Sequence, residues 1–145
     1  MSETQWEWLE KAVEELAERI DRFSDIPQEA AVLFEFSPLD MKQEINKESN
    51  LECAVNVIRL FGKKIATVKD FDYSTFAEMA KEIREETGCK GKDLFHPLRI
   101  VLTAKGSGLD LDKFIPLVEE GAKQNFPVPV KNCAQRVSEA LKMLE

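Results

Sequence analysis

Gly88-Cys89-Lys90-Gly91-Lys92-Asp93-Leu94-Phe95-His96-Pro97-Leu98-Arg99-Ile100-Val101-Leu102-Thr103 carries a helix stop, a Lys-Gly-Lys entry, an apolar turn broken by proline, and one arginine among apolar residues. Glycine just past a periodic segment is a C-terminal signal, so Gly88 ends one helix. Residues 92–104 read as the next helix despite Pro97. A proline at that point is expected to kink the helix, or to sit in its first turn with Lys92–His96 forming a turn of its own.

Helical spacing continues outward in both directions. Upstream, Ser74 is the expected cap of the helix that Gly88 stops, with Phe76, Ala80 and Ile83 inward. Before it, Asn50 caps a segment in which Leu51, Ala54, Val55, Ile58 and Phe61 share a face, and Ser37-Pro38 is a further start signal. Lys42 to Asn50 reads as a short helix or a loop. Residues 4–23 form the first amphipathic helix, with Trp6, Leu9, Val13, Leu16, Ile20 and Phe23 on its inner face. Pro27 opens another, carrying Ala30, Ala31, Leu33 and Phe34. Downstream, Gly106-Ser107-Gly108 is a turn, Leu111 to Ala122 is amphipathic, and Phe126-Pro127-Val128-Pro129 is an extended spacer. Lys131 or Asn132 opens a last helix with Cys133, Val137, Leu141 and Leu144 on one side. No strand alternation occurs. The expected class is all-α, a bundle or cage of six or seven helices, divisible into subdomains at 1–66 and 67–145.

The chain has 145 residues, 43% of them apolar and 32% charged, which suits a folded domain rather than a disordered one. No apolar run approaches the roughly 18 residues of a membrane span, and no signal pattern opens the chain, so the expected compartment is the cytosol. Cys53, Cys89 and Cys133 lie far apart without a C-x-x-C pair, and are expected to be reduced, partly buried thiols. With His96 the only histidine, a zinc site is not expected. The net charge of -7 is unevenly spread: residues 1–60 hold 14 acids and 6 bases, residues 61–145 hold 13 and 14. A phosphate-facing surface belongs in the second half.

Three classes of function remain to be weighed. Nucleophilic catalysis needs a base beside the nucleophile, and a histidine alone next to a proline reads as a packed ring. A helical protein-interaction module explains the amphipathic stripes, as does mutual packing. RNA binding draws on Lys90, Lys92, Arg99 and Lys105, which fall in 16 residues containing Asp93 as the only acid. Lysines suit phosphates, and the arginine fork suits an exposed base edge of an unpaired loop.

Gly88-x-Lys90-Gly91-Lys92-x-Leu94-Phe95-x-Pro97-Leu98-Arg99-x-x-Leu102-Thr103 resembles the signature of bacterial-type glutamyl-tRNA synthetases, in their C-terminal helical anticodon-binding region. Gly108-Leu109-Asp110-Leu111 is similar to the family's G-P-E-L turn, with Leu109 where proline is usual; Ala104 stands where glycine is usual. Arg19-Ile20-Asp21-Arg22-Phe23-Ser24-Asp25-Ile26-Pro27 resembles the family's R-x-x-T-L-x-x-x-P segment, followed by the aromatics Phe34 and Phe36. The resemblance implies that Arg99 contacts the anticodon loop, that Arg19 reads the third anticodon base, and that Gly108 and Leu111 meet anticodon bases. It places Lys81 near the anticodon by spacing. Lys90, Lys92 and Lys105 would offset phosphate charge, while Leu94, Phe95, Pro97 and Leu102 pack and present Arg99.

The implied partner is glutamate tRNA, with no DNA and no membrane. The implied region needs no cofactor and is not catalytic by itself. ATP and Mg²⁺ would belong to the synthetase's catalytic domain in cis, whose H-I-G-H-like and K-M-S-K-S-like motifs do not occur in this sequence. The alternative is a stand-alone, synthetase-derived helical protein with a regulatory or protein-interaction role.

Overall fold

A computed structural model describes residues 2–17, 33–124, 126 and 129–144. Seven α-helices make up the described residues: α1 (Glu3–Ala17), α2 (Pro38–Ile45), α3 (Leu51–Ile65), α4 (Tyr73–Thr87), α5 (Lys92–Thr103), α6 (Leu111–Ala122) and α7 (Cys133–Leu144). The all-α expectation holds. Arg19, the helix expected from Pro27 as far as residue 32, and the Pro127-Val128 part of the spacer lie outside the described residues; Leu33 and Phe34 are helical.

Several helix boundaries follow from local hydrogen bonding. The Ser37 hydroxyl accepts the Asp40 N–H (3.2 Å) with Pro38 at the first helical position, and the Asn50 side chain accepts the Cys53 N–H (3.1 Å). Asn132 and Gln135 each accept the other's backbone N–H at 2.8 Å, a reciprocal capping box that starts α7. Asp72, not Ser74, caps α4: its carboxylate accepts the Thr75 N–H at 2.7 Å, and an ionised acceptor there also meets the positive end of the helix dipole. Gly88 ends α4 at φ 77°, a left-handed conformation that costs glycine little. Helix α5 runs unbroken through Pro97, which leaves the Asp93 carbonyl without its helical partner.

Helix α3 is central, packing against α4, α5 and α7, with Ala54, Val57, Ile58 and Phe61 fully buried. Gly62 lets α7 approach closely: a Cβ there would collide with the Leu141 side chain. Helix α1 packs on α6, but not by the face expected. Trp6 is 60% exposed and Val13 43%, while Gln5, Trp8, Ala12 and Leu16 are buried. Trp8 sets this rotation. Its indole N–H donates to the Leu117 carbonyl at 2.8 Å, its ring covers Gly121, and it stacks edge-on with Phe34 and tilted against Phe126. A satisfied, buried indole outweighs the smaller apolar area of Val13.

The cysteines correct the sequence reading. Cys53 in the first turn of α3 is bonded to Cys89 after α4, with Cα atoms 6.0 Å apart across 36 residues. The turn between α3 and α4 returns the chain, so the start of one helix meets the end of the other. Only Cys133 is a free thiol; it is buried, and burial pushes its pKa well above the ordinary thiol value.

Candidate nucleic-acid interface

Helix α5 and the turn that follows it form one unit. His96, Arg99 and Thr103 share a face at i, i+3 and i+7, and each holds the turn. The His96 ring places Nε2 3.0 Å from the Gly106 carbonyl and Nδ1 2.7 Å from the Glu48 carboxylate. The ring thus bridges the turn and the loop between α2 and α3. Arg99 Nη1 donates to the Leu109 carbonyl at 2.9 Å. The Thr103 hydroxyl lies 2.8 Å from the Arg99 carbonyl and 3.0 Å from that of Lys105, and accepts the Lys105 N–H at 3.1 Å.

The turn's backbone is unusual at two points. Ala104 adopts φ 62°, the left-handed end of α5 that an L side chain enters at a cost. Gly108 adopts φ 153°, and a Cβ there would lie 4.0 Å from Arg99 Nη1. Leu109 is buried and anchors the turn in the core, an apolar replacement for the expected rigid proline.

This unit is itself anchored from α7. Arg136 is fully buried and donates to the carbonyls of Lys131 (2.8 Å), Leu102 (3.0 Å) and Leu33 (3.0 Å). Its guanidinium lies 5.6 Å from the Phe36 ring centre and 5.3 Å from that of Phe114. Burial pulls its pKa down from the ordinary guanidinium value to about 10, so it is charged at neutral pH and its charge is met by carbonyls and aromatic faces. The Leu102 contact ties α7 to the end of α5, where the presented turn begins.

The sequence-predicted residues fall into three places. Arg99, Lys105, Gly108 and Leu111 gather at the turn; Arg99 and Leu111 are half-buried and Lys105 is exposed. Lys90 and Lys92 are exposed at the other end of α5, about 10 Å from Arg99 along the axis by helical rise. Lys81 is exposed on α4, lining a groove whose far wall is Leu94 and Phe95 of α5. Phe95 departs from expectation: it is 50% exposed rather than packed. Lys92, Phe95 and Arg99 thus form a cation–aromatic–cation strip along α5.

One side of the turn is acidic. A cleft of about 420 Å³ between α2 and the turn is lined by Asp40, Gln43 and Glu44 against Lys105, Gly106 and Ser107. Lys105 lies at that cleft, whereas Lys81, Lys90 and Lys92 belong to α4, α5 and the loop between them.

Residues 2–120 match the model of the anticodon binding domain family. The chain belongs to that family. The anticodon binding domain thus includes α1 through most of α6, while α7 and its Arg136 lie beyond the matched segment. The chain is 30% identical over 113 residues to a glutamate–tRNA ligase of Sulfurihydrogenibium sp., an alignment covering 78% of this chain and 24% of the relative. It is 30% identical over 117 residues to glutamate–tRNA ligase 1 of Caldicellulosiruptor saccharolyticus, covering 81% and 24%. It is 31% identical over 116 residues to a glutamate–tRNA ligase of Alkaliphilus metalliredigens, covering 78% and 23%. The chain thus spans about a quarter of the length of these relatives. No solved structure matches it.

Proposed function

We propose that this anticodon binding domain recognises the anticodon loop of glutamate tRNA and so contributes tRNA selection to glutamyl-tRNA aminoacylation. The observation that carries this reading is the α5 strip of Lys92, Phe95 and Arg99 running into a turn clasped by His96, Arg99 and Thr103, within a domain of this family. A rigid turn beside a cationic strip suits unpaired bases, whose pairing edges and faces are open. In this reading Arg99 orders Gly108 through Leu111 and faces the loop, while Lys90, Lys92 and Lys105 neutralise phosphates. Arg19 is proposed from the sequence resemblance alone. No cofactor serves this step; ATP and Mg²⁺ belong to the catalytic part of the ligase.

The test is titration of the purified chain with a glutamate-tRNA anticodon stem-loop and with the same stem bearing a scrambled loop. Arg99→Ala is expected to weaken binding to the first by about 1–3 kcal/mol and to narrow the preference between them. Equal affinity for both loops in the unaltered protein would refute the reading. A second reading, a protein-interaction role, is favoured by Trp6 and Val13, which stand exposed one above the other on α1. Loss of a protein partner on Trp6→Ser, with stem-loop affinity absent throughout, would support it instead.

A further inference from the structure

A groove runs between α4 and α5. Its volume is about 350 Å³, within the range of ligand-sized pockets, and it is lined by Tyr73, Phe76, Ala77, Ala80, Lys81 and Arg84 from α4 and by Gly91, Leu94 and Phe95 from α5. The floor is apolar and buried: Phe76, Ala80 and Leu94 are at most 3% exposed. The two large rings at its edge are not buried with it, Tyr73 being 42% exposed and Phe95 50%. Ala77 and Gly91, which also line it, are small.

The charged side chains that line this groove are of one sign. Among the described residues, Lys81 and Arg84 line it and no carboxylate does. Two of α4's acids are turned the other way, Glu82 and Glu86 lying 2.8 Å and 3.4 Å from Lys64 of α3. Asp72, at the start of the helix, directs its carboxylate to the Thr75 N–H. An apolar floor, two half-exposed aromatic rings and two cations complement one class of partner. A nucleotide offers a flat π-face for the rings and a phosphate for the cations, whereas an apolar peptide leaves Lys81 and Arg84 unanswered.

Position along α5 fixes which nucleotide. Phe95 and Arg99 are four residues apart, hence one above the other and about 6 Å apart along the axis. We propose that the groove takes one unpaired RNA base, stacked on Phe95 and Tyr73 with its phosphate at Lys81 and Arg84, and that this nucleotide neighbours the one facing Arg99. The proposal rests on the RNA-binding reading above and adds a stacking subsite to it.

The experiment places 2-aminopurine singly at each unpaired position of the anticodon stem-loop and follows its fluorescence on titration with the full chain. One loop position is expected to be strongly quenched in the complex, and Phe95→Ala to remove that quenching and weaken binding about 5- to 100-fold. Tyr73→Ala acts in the same direction, Phe95→Tyr retains both signals because it retains the ring, and Lys81→Glu weakens binding without abolishing the quench. Circular dichroism checks that each variant is folded. Stem-loop binding that falls with Arg99→Ala but not with Phe95→Ala or Tyr73→Ala overturns the groove and leaves the anticodon reading standing. A Phe95→Tyr variant as weak as Phe95→Ala makes the ring a packing element and overturns it equally. Failure of the unaltered chain to bind any stem-loop removes both, and loss of a protein partner or of self-association alone in the ring variants assigns the groove to a protein.

Discussion

Removing the guanidinium of Arg136 would strand the carbonyls of Leu33, Leu102 and Lys131 in an apolar interior. Each buried, unpaired carbonyl costs about 1–3 kcal/mol, so Arg136→Leu is expected to destabilise the fold by about 3–5 kcal/mol in urea unfolding. An unchanged midpoint would show that water replaces the side chain. Nothing in the sequence marked this residue, because a charged side chain on an amphipathic helix reads as surface until three carbonyls and two rings are seen around it. Ala104 is the opposite case. Its departure from the expected glycine is visible in the sequence, and its left-handed backbone explains the expectation. Ala104→Gly is expected to raise stability by ~0.5–1 kcal/mol, the relief of the Cβ exceeding the entropy glycine adds to the unfolded chain. A lowered midpoint would show that packing of the Ala104 methyl outweighs that relief.

At the level of elements, the polar caps were legible and the long-range ties were not. Ser37, Asn50 and Gly88 act on neighbours within four residues, so local spacing sufficed to find them. The cap of α4 was displaced by two residues because Asp72 and Ser74 are both good caps and the carboxylate makes the stronger bond. That bond holds the Asp72 carboxyl below its ordinary value of 3.8. A carboxylate lowered by folding contributes stability above the unfolded value, and the contribution is lost as pH falls through the lower folded value. The ¹³C titration of the Asp72 carboxyl is therefore expected to inflect below 3.8; an inflection at or above it would mean that the cap is not formed. The Cys53–Cys89 bond escaped the sequence because 36 residues separate its ends and only the fold of α3 against α4 joins them. Closing a loop of that length restricts the unfolded chain by about 4 kcal/mol in the chain-entropy account. Cys53→Ser should lower the urea midpoint under oxidising conditions and match the unaltered protein once dithiothreitol is added. Equal midpoints without reductant would show that the bond adds no stability.

For the whole molecule the question is how a chain of net charge -7 attracts a polyanion. Sign and location answer it together. The excess of acids over bases lies in residues 1–60, and on α2 acids line the cleft on one side of the turn, while Lys81, Arg84, Lys90 and Lys92 belong to α4, α5 and the loop between them, where Glu82 and Glu86 of α4 lie against Lys64. At moderate ionic strength a carboxylate more than a Debye length of ~8–10 Å away is largely screened, so local cations govern contact while the distant acids repel only weakly. The association should consequently be strongly salt-dependent despite the net charge. Each lysine that neutralises a phosphate of an unpaired strand contributes about 0.7 to the slope of log K against log salt concentration. Replacing Lys90, Lys92 and Lys105 together by alanine is expected to flatten that slope by about 2 and to weaken binding to matched and scrambled loops alike. Arg99→Ala should instead change the preference between loops more than the slope, since ordering the Leu109 turn affects which bases fit. A triple lysine variant with the original slope would remove these lysines from the interface and leave the contact to Lys81, Arg84 and Arg99.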